Sequence, residues 1–237
     1  MMLLAIDTST AQVGIALIDG GQLAVETIWS SRVHHTVELA PAVADLMERA
    51  GATMADLEAI AVATGPGSFT ALRVGLAFAK GLALARKIPM LGVPTLDVLA
   101  AGQPASELPL AAVLQAGRGR IAVGWYRTTG TPTRDDAVPP GETEGGWVSQ
   151  GPPQVTTVDA LAKSIAKPSI VAGELSADDR QRLARKRVNV VLAPPSRCVR
   201  RPSVLAEIAW QRLAAGRVDD AATLAPTYLH AAEPVAA

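Results

Sequence analysis

Ala59-Ile60-Ala61-Val62-Ala63-Thr64-Gly65-Pro66-Gly67-Ser68-Phe69-Thr70-Ala71-Leu72-Arg73-Val74-Gly75 is the stretch whose reading decides the fold. Its first five residues are apolar and read as a strand. Thr64 to Ser68 is a loop punctuated by two glycines and a proline. A helix follows from about Phe69 to Arg86, and a strand comes near Met90–Gly92. Upstream, Leu3–Ile6 and Gly14–Ile18 read as strands, and Asp19-Gly20-Gly21 is a hairpin turn into a third at Gln22–Trp29. Thr36–Ala50 has helical spacing at Val37, Ala40, Val43, Ala44, Met47 and Ala50, and Gly51 closes it. Pro41 inside that pattern predicts a late start or a bend. Three meandering strands followed by alternating helices and strands imply an α/β fold, a mixed sheet with helices on its faces.

Downstream the texture changes. Gly102-Gln103-Pro104-Ala105-Ser106 reads as a linker. Leu108–Leu114 and Ile121–Tyr126 are strands around Gly117-Arg118-Gly119, and Thr128 to Pro153 reads as loop. Then come a helix at Val158–Ala166, a strand at Ile170–Ala172, a charged helix at Ala177–Arg187, a strand at Val188–Leu192 and an amphipathic helix at Ser203–Ala215. The expected organisation is an N-terminal lobe over 1–102 completed by the helix at about 203–216, a C-terminal lobe over 103–202, and a tail over 217–237, frayed after Tyr228.

Composition excludes several classes. The chain has 237 residues, 49% hydrophobic and 19% charged, enough apolar material for a sizeable core. Lys+Arg and Asp+Glu are both 22, and a generic polyanion binder needs a basic surplus. The single cysteine, Cys198, rules out an intrachain disulfide or a cysteine zinc site and fits a reducing compartment. The N-terminus lacks a basic region before its apolar residues and does not read as a signal peptide. No uninterrupted run of about 20 apolar residues exists. A soluble, cytoplasmic protein is expected.

Four segments could carry chemistry. Asp7, Thr8 and Ser9 end a buried strand, where a carboxylate and small hydroxyls can hold a Mg²⁺-bound water beside a phosphate, or merely satisfy turn amides. Gly65, Gly67 and Ser68 can turn backbone amides toward an anion at a helix start, or simply connect strand to helix. No Lys follows the second glycine, so this is not a P-loop. His34 and Glu38 share a helical face and could ligate a metal, but a polar helix start is the better reading, so no metal site is expected. Arg180 to Arg201 holds eight basic and no acidic residues; it could meet RNA, and a solvated helix face is the simpler reading. No nucleophile elbow occurs, and Cys198 has no identified base. An actin-like kinase or ATPase would need a second glycine turn, for which Ala172-Gly173-Glu174 is the sole candidate.

Ala5-Ile6-Asp7-Thr8-Ser9, Gly65 to Gly75 and Pro89-Met90-Leu91-Gly92-Val93 together resemble the TsaB (YeaZ) family. Arg32–Pro41 and Pro226-Thr227-Tyr228-Leu229 resemble two further stretches of it. The likeness is good over about the first hundred residues and patchy beyond. Ala71 stands for a usual glycine, and Gln115-Ala116-Gly117-Arg118-Gly119 stands where the family has Asp-Ala-Arg. The resemblance implies an actin/Hsp70-like (ribonuclease H-like) fold with two lobes. It implies a non-catalytic scaffold or activator in making threonylcarbamoyladenosine next to the tRNA anticodon. The partners it implies are the catalytic sister TsaD, the small ATPase TsaE, a second copy when alone, and tRNA only indirectly.

In that sister two histidines bind the metal. Laid on this sequence they fall at Thr95 and Leu99, and a further sister aspartate falls at Ala11. An aliphatic side chain cannot ligate, so no catalytic residues are expected, and a glycoprotease-type metallopeptidase is disfavoured. Any ATP or ADP with Mg²⁺ is expected to bind weakly, at about 0.1 mM or worse. The helix from Phe69 to Arg86 is apolar on most sides, so one face needs a cover beyond its own sheet, unless both are buried within this chain. Its ridge of Ala71, Gly75, Ala79 and Ala83, widened by Val37, Ala44 and Met47, is the expected partner interface.

Overall fold

The computed structural model describes residues 1–31, 35–128, 146–185 and 189–229. They form two units. The first contains Met1–Val98 and Arg200–Thr227, and the second contains Leu99–Val199 and the chain from Tyr228.

In the first unit, β1 (Met2–Asp7), β2 (Gln12–Asp19) and β3 (Gln22–Ser30) meander, and β4 (Leu57–Ala63) and β5 (Met90–Val93) join β1 in parallel. The sheet order is β3-β2-β1-β4-β5. This mixed sheet, with helices on both faces, has the actin/Hsp70-like, ribonuclease H-like architecture. Strand alternation divides the residues between the faces. Leu4, Ile6, Ile15, Leu17, Ile60 and Val62 pack with Leu39, Val43, Leu46 and Met47 of α1 (His35–Arg49) and Leu76, Ala79 and Ala83 of α2 (Phe69–Arg86). The opposite face carries Ala5, Ala16 and Ala61 side by side in register. Those small side chains and Gly14, where a Cβ would come within 3.0 Å of Pro202, let α6 (Pro202–Ala214) lie across the strands.

Pro41 lies inside α1, which runs unbroken through it. The carbonyl that loses its helical partner belongs to Val37, which is 67% exposed, so water can serve it. The segment Thr95–Ala101, not foreseen as regular structure, is α3. Residues 217–227, expected as tail, run along the first unit, with Asp219 bridging Met90.

In the second unit, β6 (Leu110–Gln115) pairs β10 (Ser169–Gly173) in parallel and β7 (Ile121–Thr128) antiparallel. β11 (Val190–Leu192) extends the parallel side, and β8 (Trp147–Ser149) and β9 (Gln154–Thr156) both pair with β7. Of those last two short strands, β8 lies inside the stretch read as loop and β9 begins just past its end. Helices α4 (Val158–Ser164) and α5 (Ala177–Ala184) complete the unit, and its core gathers Val113, Val123, Leu161, Val171 and Leu183. No helix among the described residues is long and apolar enough to cross a membrane.

The small-residue ridge of α2 requires a correction. Ala71, Gly75, Ala79 and Ala83 face inward onto the sheet of their own unit, and Met47 is buried with them. The cause is close approach: a Cβ at Gly75 would fall on Thr8 Oγ1, so glycine lets the helix settle on the end of β1. The exposed side of α2 instead carries Phe69, Arg73, Ala77, Gly81, Leu84 and Ala85, and Val37 and Ala44 are exposed on α1.

Candidate functional site

Asp7 ends β1 on the α6 side of the sheet and is 1% exposed. Its Oδ1 accepts the Ser9 amide at 2.8 Å. Its Oδ2 accepts Arg200 Nε at 2.8 Å, from a guanidinium that is itself 1% exposed. Arg200 Nη2 also donates to Thr10 Oγ1 and to the Gln12 carbonyl, each at 2.9 Å, and its backbone amide donates to Gln12 Oε1 at 3.1 Å. The charge of the carboxylate is thus met inside the protein by a cation with a planar donor fork. Sequence reasoning placed Arg200 in a basic run and missed this role, because its partner lies 193 residues away.

The glycine loop lies directly on this turn. The Ser68 amide donates to the Ser9 carbonyl at 2.7 Å, and a Cβ at Gly67 would fall on that same carbonyl. Thr8 Oγ1 donates to the Ala71 carbonyl at 2.7 Å, and Ser9 Oγ shares a hydrogen with Thr95 Oγ1 at 2.7 Å. Thr95 Oγ1 accepts the Gly65 amide at 3.0 Å, and the Thr95 amide donates to the Gly65 carbonyl at 2.8 Å. The structure therefore brings Asp7, Thr8, Ser9, Gly65, Gly67 and Ser68 together and adds Thr95 and Arg200. The Gly65 and Ser68 amides that could cradle a phosphate are directed at Thr95 and Ser9 instead. This chemistry suits a closed latch between two loops.

The other candidates disperse. Thr95 and Leu99 are both buried. The Glu174 amide donates to the Val113 carbonyl at 2.9 Å, and a Cβ at Gly173 would fall on that carbonyl, so this turn continues the sheet. Glu38 Oε2 accepts Trp29 Nε1 at 3.0 Å, and His34 lies outside the described residues. No cluster of three or more His, Cys, Asp or Glu residues that could hold a metal occurs among the described residues.

Several arginines of the basic segment are engaged within the protein rather than forming one free patch. Arg180 donates to the Ala193 carbonyl and to Cys198 Sγ, Arg182 pairs with Asp178 and Asp159, and Arg201 pairs with Glu26. Glu26 also receives the Ser203 amide and hydroxyl, capping the start of α6 from β3. Lys186 and Arg187 lie outside the described residues.

Comparison with known proteins places this geometry. The family model TsaD: tRNA N6-adenosine threonylcarbamoyltransferase matches residues 29–169. The tRNA threonylcarbamoyladenosine biosynthesis protein TsaB of Escherichia coli is 40% identical over 102 residues, covering 43% of this chain and 44% of that protein. The chain belongs to this family, on its TsaB/YeaZ branch. TsaB of Bacillus subtilis is 37% identical over 127 residues, covering 54% of this chain and 56% of that one. The chain thus matches about half the length of these two relatives. The solved structure of YeaZ from Pseudomonas aeruginosa superposes with a TM-score of 0.74 at 26% identity, covering 96% of this chain and 99% of that one. For a TsaB/YeaZ chain, the buried Thr95 and Leu99 occupy the positions where the resemblance puts the metal-binding histidines of the TsaD-type sister.

Proposed function

We propose that this chain is a non-catalytic scaffold and activator subunit in the synthesis of threonylcarbamoyladenosine next to the tRNA anticodon. It acts in the cytoplasm beside a TsaD-type catalytic subunit and a TsaE-type ATPase, pairs with itself when alone, and meets tRNA through the complex. The observation that supports this reading best is the Asp7–Arg200 pair, buried at 1% exposure on each side. A carboxylate committed to an internal guanidinium is poorly placed to hold Mg²⁺, and the adjoining loop amides point at the protein's own oxygens. The kinase or ATPase reading would need those groups turned outward and a second glycine turn in the second unit, where Gly173 abuts Val113.

The exposed sides of α1 and α2 supply the partner surface in this reading. These helices pack on each other and present Val37, Ala44, Phe69, Ala77, Gly81 and Leu84. Phe69 is 54% and Leu84 69% exposed, more apolar surface than a helix pair facing only water needs. The test supplies threonylcarbamoyl-adenylate and tRNA to the chain by itself, to a TsaD-type subunit, and to both together with ATP and the small ATPase. Modification is expected only where the TsaD-type subunit is present, and faster with this chain added. Robust modification by the purified chain alone would overturn the proposal.

A further inference from the structure

An edge strand exposes unpaired amides and carbonyls to any passing strand. In the first sheet β5 is such an edge. The Ile60 amide bonds the Pro89 carbonyl and the Thr64 amide bonds the Val93 carbonyl, so alternate residues of β5 turn toward β4. Met90 and Gly92 turn the other way. The Met90 carbonyl accepts the Asp219 amide at 2.9 Å, the Gly92 amide donates to Asp219 Oδ2 at 2.7 Å, and the Gly92 carbonyl accepts Arg212 Nη1 at 2.7 Å. Asp219 thus serves the edge with its backbone and its side chain, standing in for a neighbouring strand.

The segment that carries Asp219 continues to the candidate site. It leaves α6 at Gly216, whose φ is +70°, and Ala221 and Leu224 pack on the first core. Gly92 leaves room for this packing, since a Cβ there would come within 2.7 Å of both Leu224 and Thr64. Lys80 Nζ holds the Ala222 carbonyl at 3.3 Å. At the far end the Thr227 amide donates to the Thr64 carbonyl at 2.7 Å, one residue before the Gly65 that is bonded to Thr95.

We propose that residues 217–227 work as one strap, which seals the β5 edge and clamps the Thr64–Gly65 turn, so that releasing it at Asp219 loosens the turn as well. The strap makes the order of the candidate site depend on a contact at the sheet edge. Amide hydrogen exchange on the full chain tests it with Asp219→Ala. The Gly92 and Thr227 amides are expected to exchange about ten-fold faster or more, together, while Leu91 and Val93 keep their protection. Faster exchange at Gly92 with Thr227 unchanged would overturn the proposal. If Asp219→Ala also strips protection from Leu91 and Val93, Asp219→Asn carries the test. It keeps an acceptor for Gly92, and a smaller shift shared by Gly92 and Thr227 is expected, whereas a shift at Gly92 only would overturn the strap.

Discussion

Replacing Arg200 with Met removes the guanidinium but keeps an unbranched side chain in its channel. Asp7 then stays in the interior with its Ser9 hydrogen bond and without its counter-ion. Breaking a buried pair by deleting one partner typically costs 3–5 kcal/mol, chiefly through the stranded charge. Thr10 Oγ1 keeps the Gln12 amide at 3.2 Å, so the neutral groups around the site lose less than the carboxylate. Arg200→Met is therefore expected to destabilise the first unit by about 3–5 kcal/mol. Adding Asp7→Asn removes the stranded charge, and the double variant should recover about 2 kcal/mol or more of that loss. Urea titration with amide exchange read at Ile6 and Ile15 for the first unit, and at Val113 and Val123 for the second, measures both. A loss below about 1 kcal/mol, the scale of an exposed pair, would refute the assignment of Asp7–Arg200 as the keystone of the site. So would a double variant no more stable than Arg200→Met.

Ala79→Glu puts a charge where exposure is 0%, so circular dichroism should show it unfolded. Gly81→Glu has open space around its new Cβ and should raise helix stability by about 0.5–1 kcal/mol, yet abolish pairing with a TsaD-type subunit in light scattering. Gly75→Ala should cost about 1–3 kcal/mol by thermal unfolding, and the cost should shrink in a Thr8→Ala background, where the opposing hydroxyl is gone. The Thr53 amide and hydroxyl both donate to Asp56 Oδ2 at 2.8 Å, and first the backbone and then the side-chain bond hold its carboxyl below the usual range. A depressed carboxyl stabilises the fold above its unfolded value, and that contribution is lost as pH falls through the folded value. An NMR titration should find the Asp56 midpoint low, and Thr53→Ala should move it part of the way back up.

Local signals were enough for most of the first unit. Helix α2 runs from Phe69 to Arg86, as its punctuation indicates: the glycine loop starts it, and Lys87 ends it with φ +55°. The hairpin at Gly20-Gly21 and the apolar run of β4 were equally plain. What escaped was decided at long range. Several ridges of α2 are apolar, among them 71/75/79/83, 74/78/82 and 77/81/85, and the close fit of Gly75 against Thr8 marks the one that settles on the sheet. Periodicity cannot supply that contact. In the same way, Arg200 looks like its neighbours in a basic run until Asp7 is brought to it. Strands β8 and β9 hold three residues each, one within and one just after a Thr-, Gly- and Pro-rich stretch, and their pairing with β7 forms them more than their own propensity.

The first unit is sewn from two separated stretches of the chain, and this matters while the protein is being made. Asp7 leaves the ribosome 193 residues before the arginine that neutralises it. At ordinary elongation rates that interval is roughly 10–40 s. Throughout it the alanine face of β1, β2 and β4 lacks the helix that covers it, and a carboxylate sits at the end of an unfinished sheet. The second unit's strands, β6 to β11, are all synthesised before Arg200. The strands of the second unit can thus pair before the first unit closes, and the first unit waits, in need of shielding, until Arg200 and the helix after it have been made.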